Sequence, residues 1–337
     1  MFDQVQYHAP WHNLKHAIVG RCYAESFFEP IQDPQVRYSL QRIARETEQD
    51  YENISNILKS FGVTVARPSI DPDLTVMDFI NPHGTIDYQT AKSFTLIPRP
   101  PMQPRDSVLV VGNQMIGTNS EIKWFDHLIC TDRKTHIDSA CSFDAPLITP
   151  VGDTLIVDCR DHDFLYNQVK QLFPNYKIKP VYIGGHNDAV FCLPRPGIIV
   201  GTYHADNYSE TFPGWTVQHL ENQSWDAIPN WRKIKHSNIG KWWAPESVSN
   251  PAFAEFVNSW LTDWTGYVKE TVFDVNMLSI NESTILVNNY NQDLFAFFKC
   301  HGIEPVVAEF RHRFFWDGGI HCVTGDLYRE GTFENYV

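Results

Sequence analysis

Five short apolar runs, each ending in a small or polar residue, recur along the 337-residue chain and restrict what it can build. They are His16–Gly20, Ser107–Gly112, Thr154–Asp158, Gly197–Gly201 and Thr284–Asn288. Their length and β-branched content suit buried strands. Four of them lead, through a helical or polar stretch, to a second strand opened by a turn residue: Gly62–Val65, Lys179–Ile183, Gly214–Val217 and Gly302–Val307. The second run has no clear closing strand. Between Val36 and Phe61, Leu40, Ile43, Tyr51, Ile54 and Leu58 share one helical face, and Gly62 supplies the stop. Asp161–Phe173 and Asp293–Cys300 repeat the same strand–helix–strand order, whereas the proline-rich Pro98–Pro104 reads as a rigid connector. Five like units predict a closed, pseudo-symmetric α/β array rather than an open doubly wound sheet.

No GxGxxG and no GxxxxGK[ST] follows any of these strands, so a nucleotide cofactor is not expected. Forty acidic residues against 27 Lys plus Arg give a net charge of −13. That balance disfavours nucleic acid or an anionic membrane as a partner and is compatible with cationic small substrates. The seven cysteines are scattered, with no CxxC pair, which indicates neither a disulfide framework nor a zinc knuckle. Met1-Phe2-Asp3-Gln4 lacks the regions of a signal peptide, and no apolar run approaches membrane-spanning length. A reduced, cytoplasmic protein is the expectation.

Near the end of the chain Cys322 stands directly behind Gly318, Gly319, Ile320 and His321. Glycines allow a ligand to come close, so a thiol in this setting reads as a nucleophile, against the commoner reading of a free cysteine as a small buried hydrophobe. Such a thiol needs a base within reach. His186 follows a second Gly-Gly pair and has Asp188 two residues on. Asp144 and Asp106 stand just before the third and second strands, where an aspartate is by itself a turn former or cap. Together with Cys322 and His186 they mark the margins of different units, and in a closed array such ends converge on the axis. His12 and His16 lack a third ligand and read as structural.

These strings resemble the amidinotransferases, especially the arginine:glycine type and its inosamine-phosphate relatives, nearly end to end. The resemblance is carried by Leu14–Arg21, Asn56–Lys59 with Gly62–Pro68, Pro104–Asp106 with Val110–Asn113, Phe143–Ala145 with Gly152, His186-x-Asp188-Ala189, and Gly319–Cys322 with Thr324. It implies a five-bladed α/β propeller of ββαβ-type repeats, one domain over residues 1–337, with the active site on its axis. It implies amidino transfer from a guanidino donor, arginine, to an amine acceptor such as glycine. Cys322 would attack the guanidinium carbon. Asp106 and Asp188 would grip its N–H groups, as carboxylates match that planar donor fork. His186 would protonate the departing amine and later deprotonate the incoming one, with Asp144 orienting it. Thr324 falls in the substrate-binding set. An amidino-cysteine intermediate implies ping-pong kinetics, small-molecule partners and no metal or organic cofactor, and a homodimer is compatible with it.

The sequence departs from the glycine-type enzymes in three places. The segment between Asp106 and Asp144 is much shorter. No arginine stands in Thr202-Tyr203-His204-Ala205, where the family holds the donor's carboxylate, and no serine pair stands near Lys269-Glu270. A guanidine hydrolase of the arginine deiminase kind would use the same centre, with water resolving the intermediate. A catalytically silent ligand-binding propeller is the rival from another class. His136-Ile137-Asp138 shares the His-x-Asp spacing but precedes Asp144, so His186 is preferred.

Overall fold

A computed structural model describes residues 2–79, 97–137, 142–159, 163–183, 185–202, 205, 207–221, 250–261, 264–265 and 274–337. Within them, fifteen strands form five three-stranded sheets. The first sheet joins β1 (Asn13–Val19) and β2 (Thr64–Ala66) to the last strand, β15 (Thr324–Glu330). The second holds β3 (Val108–Val111), β4 (Gln114–Gly117) and β5 (Lys134–His136). The third holds β6 (Ile148–Val151), β7 (Thr154–Asp158) and β8 (Lys177–Val181). The fourth holds β9 (Phe191–Arg195), β10 (Ile198–Gly201) and β11 (Thr216–His219). The fifth holds β12 (Leu278–Asn281), β13 (Thr284–Val287) and β14 (Glu304–Val307).

All five repeat one plan. A central strand pairs antiparallel with one edge and parallel with the other. A parallel neighbour requires a crossover, which is why a helical stretch separates those two strands in the chain. Contacts pass from sheet to sheet in order. β15 meets β3, β3 meets the turn Ala145–Leu147, that turn meets Asn187–Ala189, β9 meets β12, and β12 meets β1.

The second sheet explains the missing closing strand. The run Ser107–Gly112 is its edge strand β3, whereas in the other four sheets the apolar run is the central strand. Here the centre is β4, whose short Gln-Met-Ile-Gly string carries little strand signal, and the closing β5 reads Lys-Thr-His. Two 3₁₀ turns, Ser120–Trp124 and Asp126–Leu128, stand in place of a crossover helix. None of these pieces has the hydrophobic period that sequence reading depends on.

The longest helix, α1 (Pro34–Ser60), is a strut for the site. Asp33 caps its N-terminus by accepting from Gln35 and Val36, and Pro34 occupies the first position, where a missing N–H costs nothing. Its buried face, from Val36 and Leu40 to Ile54 and Leu58, packs in the largest apolar cluster with Trp264, Trp316, Ile320 and Val323. Polar groups on that face hold two remote segments. Thr47 accepts from the Trp316 indole at 2.8 Å, and Tyr51 donates to the Met102 carbonyl at 3.3 Å. Asp50 takes both the backbone N–H and the guanidinium of Arg311 at 2.8 Å. One helix thereby pins the chain leading into Asp106 and the chain leading into Cys322.

Candidate active site

The residues singled out from sequence stand in the short segments just before the antiparallel edge strand of four of the sheets. Asp106 lies two residues before β3, Asp144 four before β6, Asp188 three before β9 and Cys322 two before β15. Ile320 and Val323, fully buried on either side of His321-Cys322, anchor the thiol loop in the core. The chain reaches that loop through Asp317, the one non-glycine residue with positive φ (51°) among those described. The two glycines that follow are there for close packing. A Cβ on Gly318 would fall 2.3 Å from Gln103 Nε2, and one on Gly319 would fall 2.7 Å from Asn276. Gln103 uses that close approach to donate to the carbonyls of Trp316 (3.0 Å) and Asp317 (3.1 Å).

Cys322 is 7% exposed, and its Sγ lies 3.5 Å from Asp188 Oδ2. The same carboxylate oxygen accepts from His321 Nδ1 at 2.8 Å. His186 Nε2 meets Asp144 Oδ2 at 3.3 Å, and Asn119 donates to the other Asp144 oxygen at 3.2 Å. Asp106 and Asp188, 9% and 8% exposed, each keep a buried Oδ1 that has no hydrogen-bond partner among the described residues. A buried acceptor left unpaired is costly, so each of these oxygens would gain from an N–H donor.

Charge and burial act in opposite directions across the group. Burial pushes the Asp106 carboxyl up to about 7, against the pull of His186 and Arg99, and the negative charges of Asp144 and Asp188 add to the rise. Burial also opposes ionisation of Asp188, but the hydrogen bond and charge of His321, aided by His186 and Arg105, carry it down to about 2. For Asp144 burial is likewise overcome, chiefly by the bond from His186, and its carboxyl is lowered. The Cys322 thiol is raised well above its ordinary value by burial and then by Asp188 and Asp106. The resting group therefore favours a neutral thiol, and a cation beside the two aspartates would oppose their part of that rise.

Three participants carry no signal of their own in the sequence. Arg99, which lies in the proline-rich connector, donates to Asp106 Oδ2 at 3.2 Å and to the Gln103 side chain. Asp106 is thus not free on both oxygens. His321, in sequence only the neighbour of the thiol, is the direct partner of Asp188. Asn276, two residues before β12, donates to Cys322 Sγ at 3.1 Å. The signal that could find Asn276 is the repeat itself. Four units supply a site residue before their first strand, which leaves the equivalent turn of the fifth as the place to look.

Thr324 is fully buried, with its hydroxyl against the carbonyls of Ile320 (2.9 Å) and His321 (3.1 Å), where it braces the thiol loop. His136 pairs with Asp126 at 3.3 Å on an exposed edge. His12 bonds Tyr336 at 3.2 Å and His16 stacks on Phe2, both structural uses. Gly184, Asp138, Tyr203, His204, Lys269 and Glu270 lie outside the described residues. No group of three or more His, Cys, Asp or Glu among the described residues is arranged to hold a metal ion, and no helix among them is long and apolar enough to cross a membrane.

Beneath the thiol loop lies a second charged group. Arg105 donates to Asp326 at 2.7 Å and to the Thr324 carbonyl at 3.1 Å. Arg329 donates to the other Asp326 oxygen at 2.8 Å and to the carbonyls of His12 (2.6 Å) and Ser279 (2.7 Å). A cavity of about 50 Å³ is lined by residues of both groups, Asp188 and His321 from the first and Arg105, Asp326 and Arg329 from the second.

The fold defines the class first. The chain matches the solved inosamine-phosphate amidinotransferase of Streptomyces griseus with a TM-score of 0.64 at 18% identity, covering 98% of this chain and 99% of that one. An amidinotransferase of Microseira wollei from the saxitoxin biosynthetic pathway matches at 0.64 and 16% identity, covering 99% of each. A dimethylarginine dimethylaminohydrolase adduct with S-methyl-L-thiocitrulline matches at 0.56 and 10% identity, over 92% of this chain and 98% of that one. The architecture is therefore the mixed α/β fold that these transferases and hydrolases share.

Sequence relatives narrow the class. The L-arginine:L-lysine amidinotransferase of Pseudomonas savastanoi pv. phaseolicola is 28% identical over 205 residues, 58% of this chain and 47% of that relative's own length. The mitochondrial glycine amidinotransferase of Danio rerio is 23% identical, over 98% of this chain and 84% of that relative. Inosamine-phosphate amidinotransferase 1 of Streptomyces glaucescens is 22% identical, over 98% and 99%. No family model matches the chain. Its relatives are amidinotransferases, and by sequence likeness and fold it is an amidinotransferase-like enzyme.

Proposed function

We propose that this protein moves the amidino group of a guanidino donor, L-arginine, through a covalent amidino-Cys322 to an amine acceptor, with glycine the first to try. The observation that carries this reading is a pair of buried oxygens, Asp106 Oδ1 and Asp188 Oδ1, that have no partner among the described residues and belong to carboxylates whose charges both bear on the Cys322 thiol. A guanidinium is planar, cationic and rich in N–H donors, and it supplies what both oxygens lack. Its charge would also offset the two aspartates and favour the thiolate at the moment the donor is bound.

The Cys322 thiolate then adds to the guanidinium carbon. The bond from that carbon to the donor's nitrogen breaks as His186 delivers a proton to the departing amine, with Asp144 holding the imidazole. Ornithine would leave from arginine. An incoming amine adds to the amidino-cysteine, gives its proton to His186 and expels the thiolate, which regenerates the enzyme. The five sheets would form the blades of a closed five-bladed propeller in one domain over residues 1–337, a reading supported by the sheet-to-sheet contacts and by the fold of the relatives. A cytoplasmic setting and small-molecule partners accompany this reading.

Incubation with arginine tests it. Ornithine that appears only when an amine is added supports transfer, and the amines should include glycine and lysine. Citrulline and ammonia without an amine would move the protein to the hydrolase reading, which the dimethylarginine dimethylaminohydrolase fold match keeps in view. Absence of any Cys322-dependent amidino adduct by mass spectrometry, across a broad panel of guanidines, would sink the covalent mechanism.

A further inference from the structure

We propose that Asn276 is the residue that aims the Cys322 sulfur and stabilises it as a thiolate, an inference that rests on the reading of Cys322 as the nucleophile. Asn276 is 1% exposed, and its side chain is fully committed. Its Nδ2 donates one hydrogen to Cys322 Sγ at 3.1 Å and points the other at the Asp188 carbonyl at 3.2 Å. Its Oδ1 accepts from the Cys322 backbone N–H at 3.1 Å. The orientation is fixed by these partners. A flipped amide would set oxygen against the Asp188 carbonyl and N–H against the Cys322 N–H.

The surroundings hold that amide still. Asn288 donates to the Asn276 carbonyl at 2.8 Å and accepts from the Ile320 N–H at 3.1 Å. Gly319 lies flush against the Asn276 side chain, where any Cβ would collide. Asn276 also occupies the place in the fifth sheet's turn that Asp106, Asp144, Asp188 and Cys322 occupy in the others. Four turns bring charge or a nucleophile to the centre, and the fifth brings a neutral donor. Two aspartates raise the thiol, and against them a backbone bond from Gly319 and the Asn276 N–H aimed at sulfur both favour its charged form, Asn276 being the side chain that does so.

The alternative is that Asn276 only braces the loop. Asn288 is the control, since it braces the same loop through the Asn276 carbonyl and the Ile320 N–H. The test is the pH dependence of Cys322 alkylation by iodoacetamide in the substrate-free full chain, with the Cys322 peptide followed by mass spectrometry. Sulfur displaces iodide only as thiolate, so the midpoint reads the thiol's ionisation. In Asn276→Ala the midpoint should rise by about one pH unit or more, slowing alkylation at neutral pH roughly tenfold. Asn276→Leu, which keeps the volume, should shift it likewise if the alanine variant folds poorly. Asn288→Ala should lower the melting temperature and leave the midpoint in place. A midpoint unchanged in both Asn276 variants, or moved equally by Asn288→Ala, would overturn the proposal. Because no substrate is used, a shifted midpoint without any amidino adduct would retain Asn276 and discard the transferase reading.

Discussion

Two buried charged groups line one small cavity, and they are built on opposite terms. In the lower group Asp326 has an arginine on each oxygen, and those arginines spend further N–H groups on backbone carbonyls of remote segments. In the upper group Asp106 and Asp188 each leave an oxygen unpaired among the described residues, and a thiol is held among negative charges. The first arrangement fixes the fold, because both carboxylate oxygens are answered and the two arginines tie remote backbone segments to them. The second leaves buried acceptors open at a cost in stability, which is what the proposed guanidinium site requires.

The contrast is tested most severely by removing what the open group surrounds. Cys322→Ser should lower turnover by more than ~10³-fold, because a serine hydroxyl is a far weaker nucleophile at neutral pH. Steady-state ornithine release measures it, and near-normal activity would refute the mechanism. The next effect belongs to the matched group. Asp326→Asn leaves Arg105 and Arg329 without their shared counter-charge and should cost about 3–5 kcal/mol of stability in urea denaturation.

Asp106→Asn probes the open group by the same assay, where the effect should run the other way. The Asp106 carboxyl sits at about 7 in the fold against 3.8 ordinarily, so the native state holds a proton that the unfolded chain has lost. Its contribution to stability therefore falls as pH rises from about 4 to about 7, and the asparagine variant should lack that decline. Its KM for a guanidine should rise roughly 30-fold, about 2 kcal/mol of lost charged hydrogen bonding, and the gain in binding through pH 7 should vanish. Asp188, lowered to about 2, has the opposite sign. Its stabilisation is present above pH 4 and lost as pH falls toward 2. The smallest effect concerns Arg99→Ala. Without that cation Asp106 should ionise at higher pH, raising KM a few-fold at pH 7 (on the order of 1 kcal/mol) and little at pH 9. An unchanged pH profile would show that Arg99 does not tune Asp106.

Local chemistry makes much of this molecule readable from its residues. The face of α1 follows a 3.6-residue period, and four of five apolar runs are central strands, because burial imprints itself on consecutive residues. The Cys322, His186, Asp144, Asp106 and Asp188 set is also legible, because each stands at a turn beside a strand and the strings match a known order. The second sheet's β4 and β5 are not, since their short, polar strands are held by neighbours and not by their own pattern.

The repeated units and the kind of chemistry they carry are thus written in the residues themselves. The partnerships arise only on folding: Arg99 on Asp106, His321 on Asp188, Thr324 turned inward, and Asn276 on the thiol. The physical reason is that hydrogen-bond satisfaction is a property of groups meeting in space. Asn276 and Cys322 stand 46 residues apart, and His321 and Asp188 stand 133 apart. No local period encodes such a meeting. Only the packing of the five sheets brings those turns together, and only there does it emerge which oxygens are answered and which are left open.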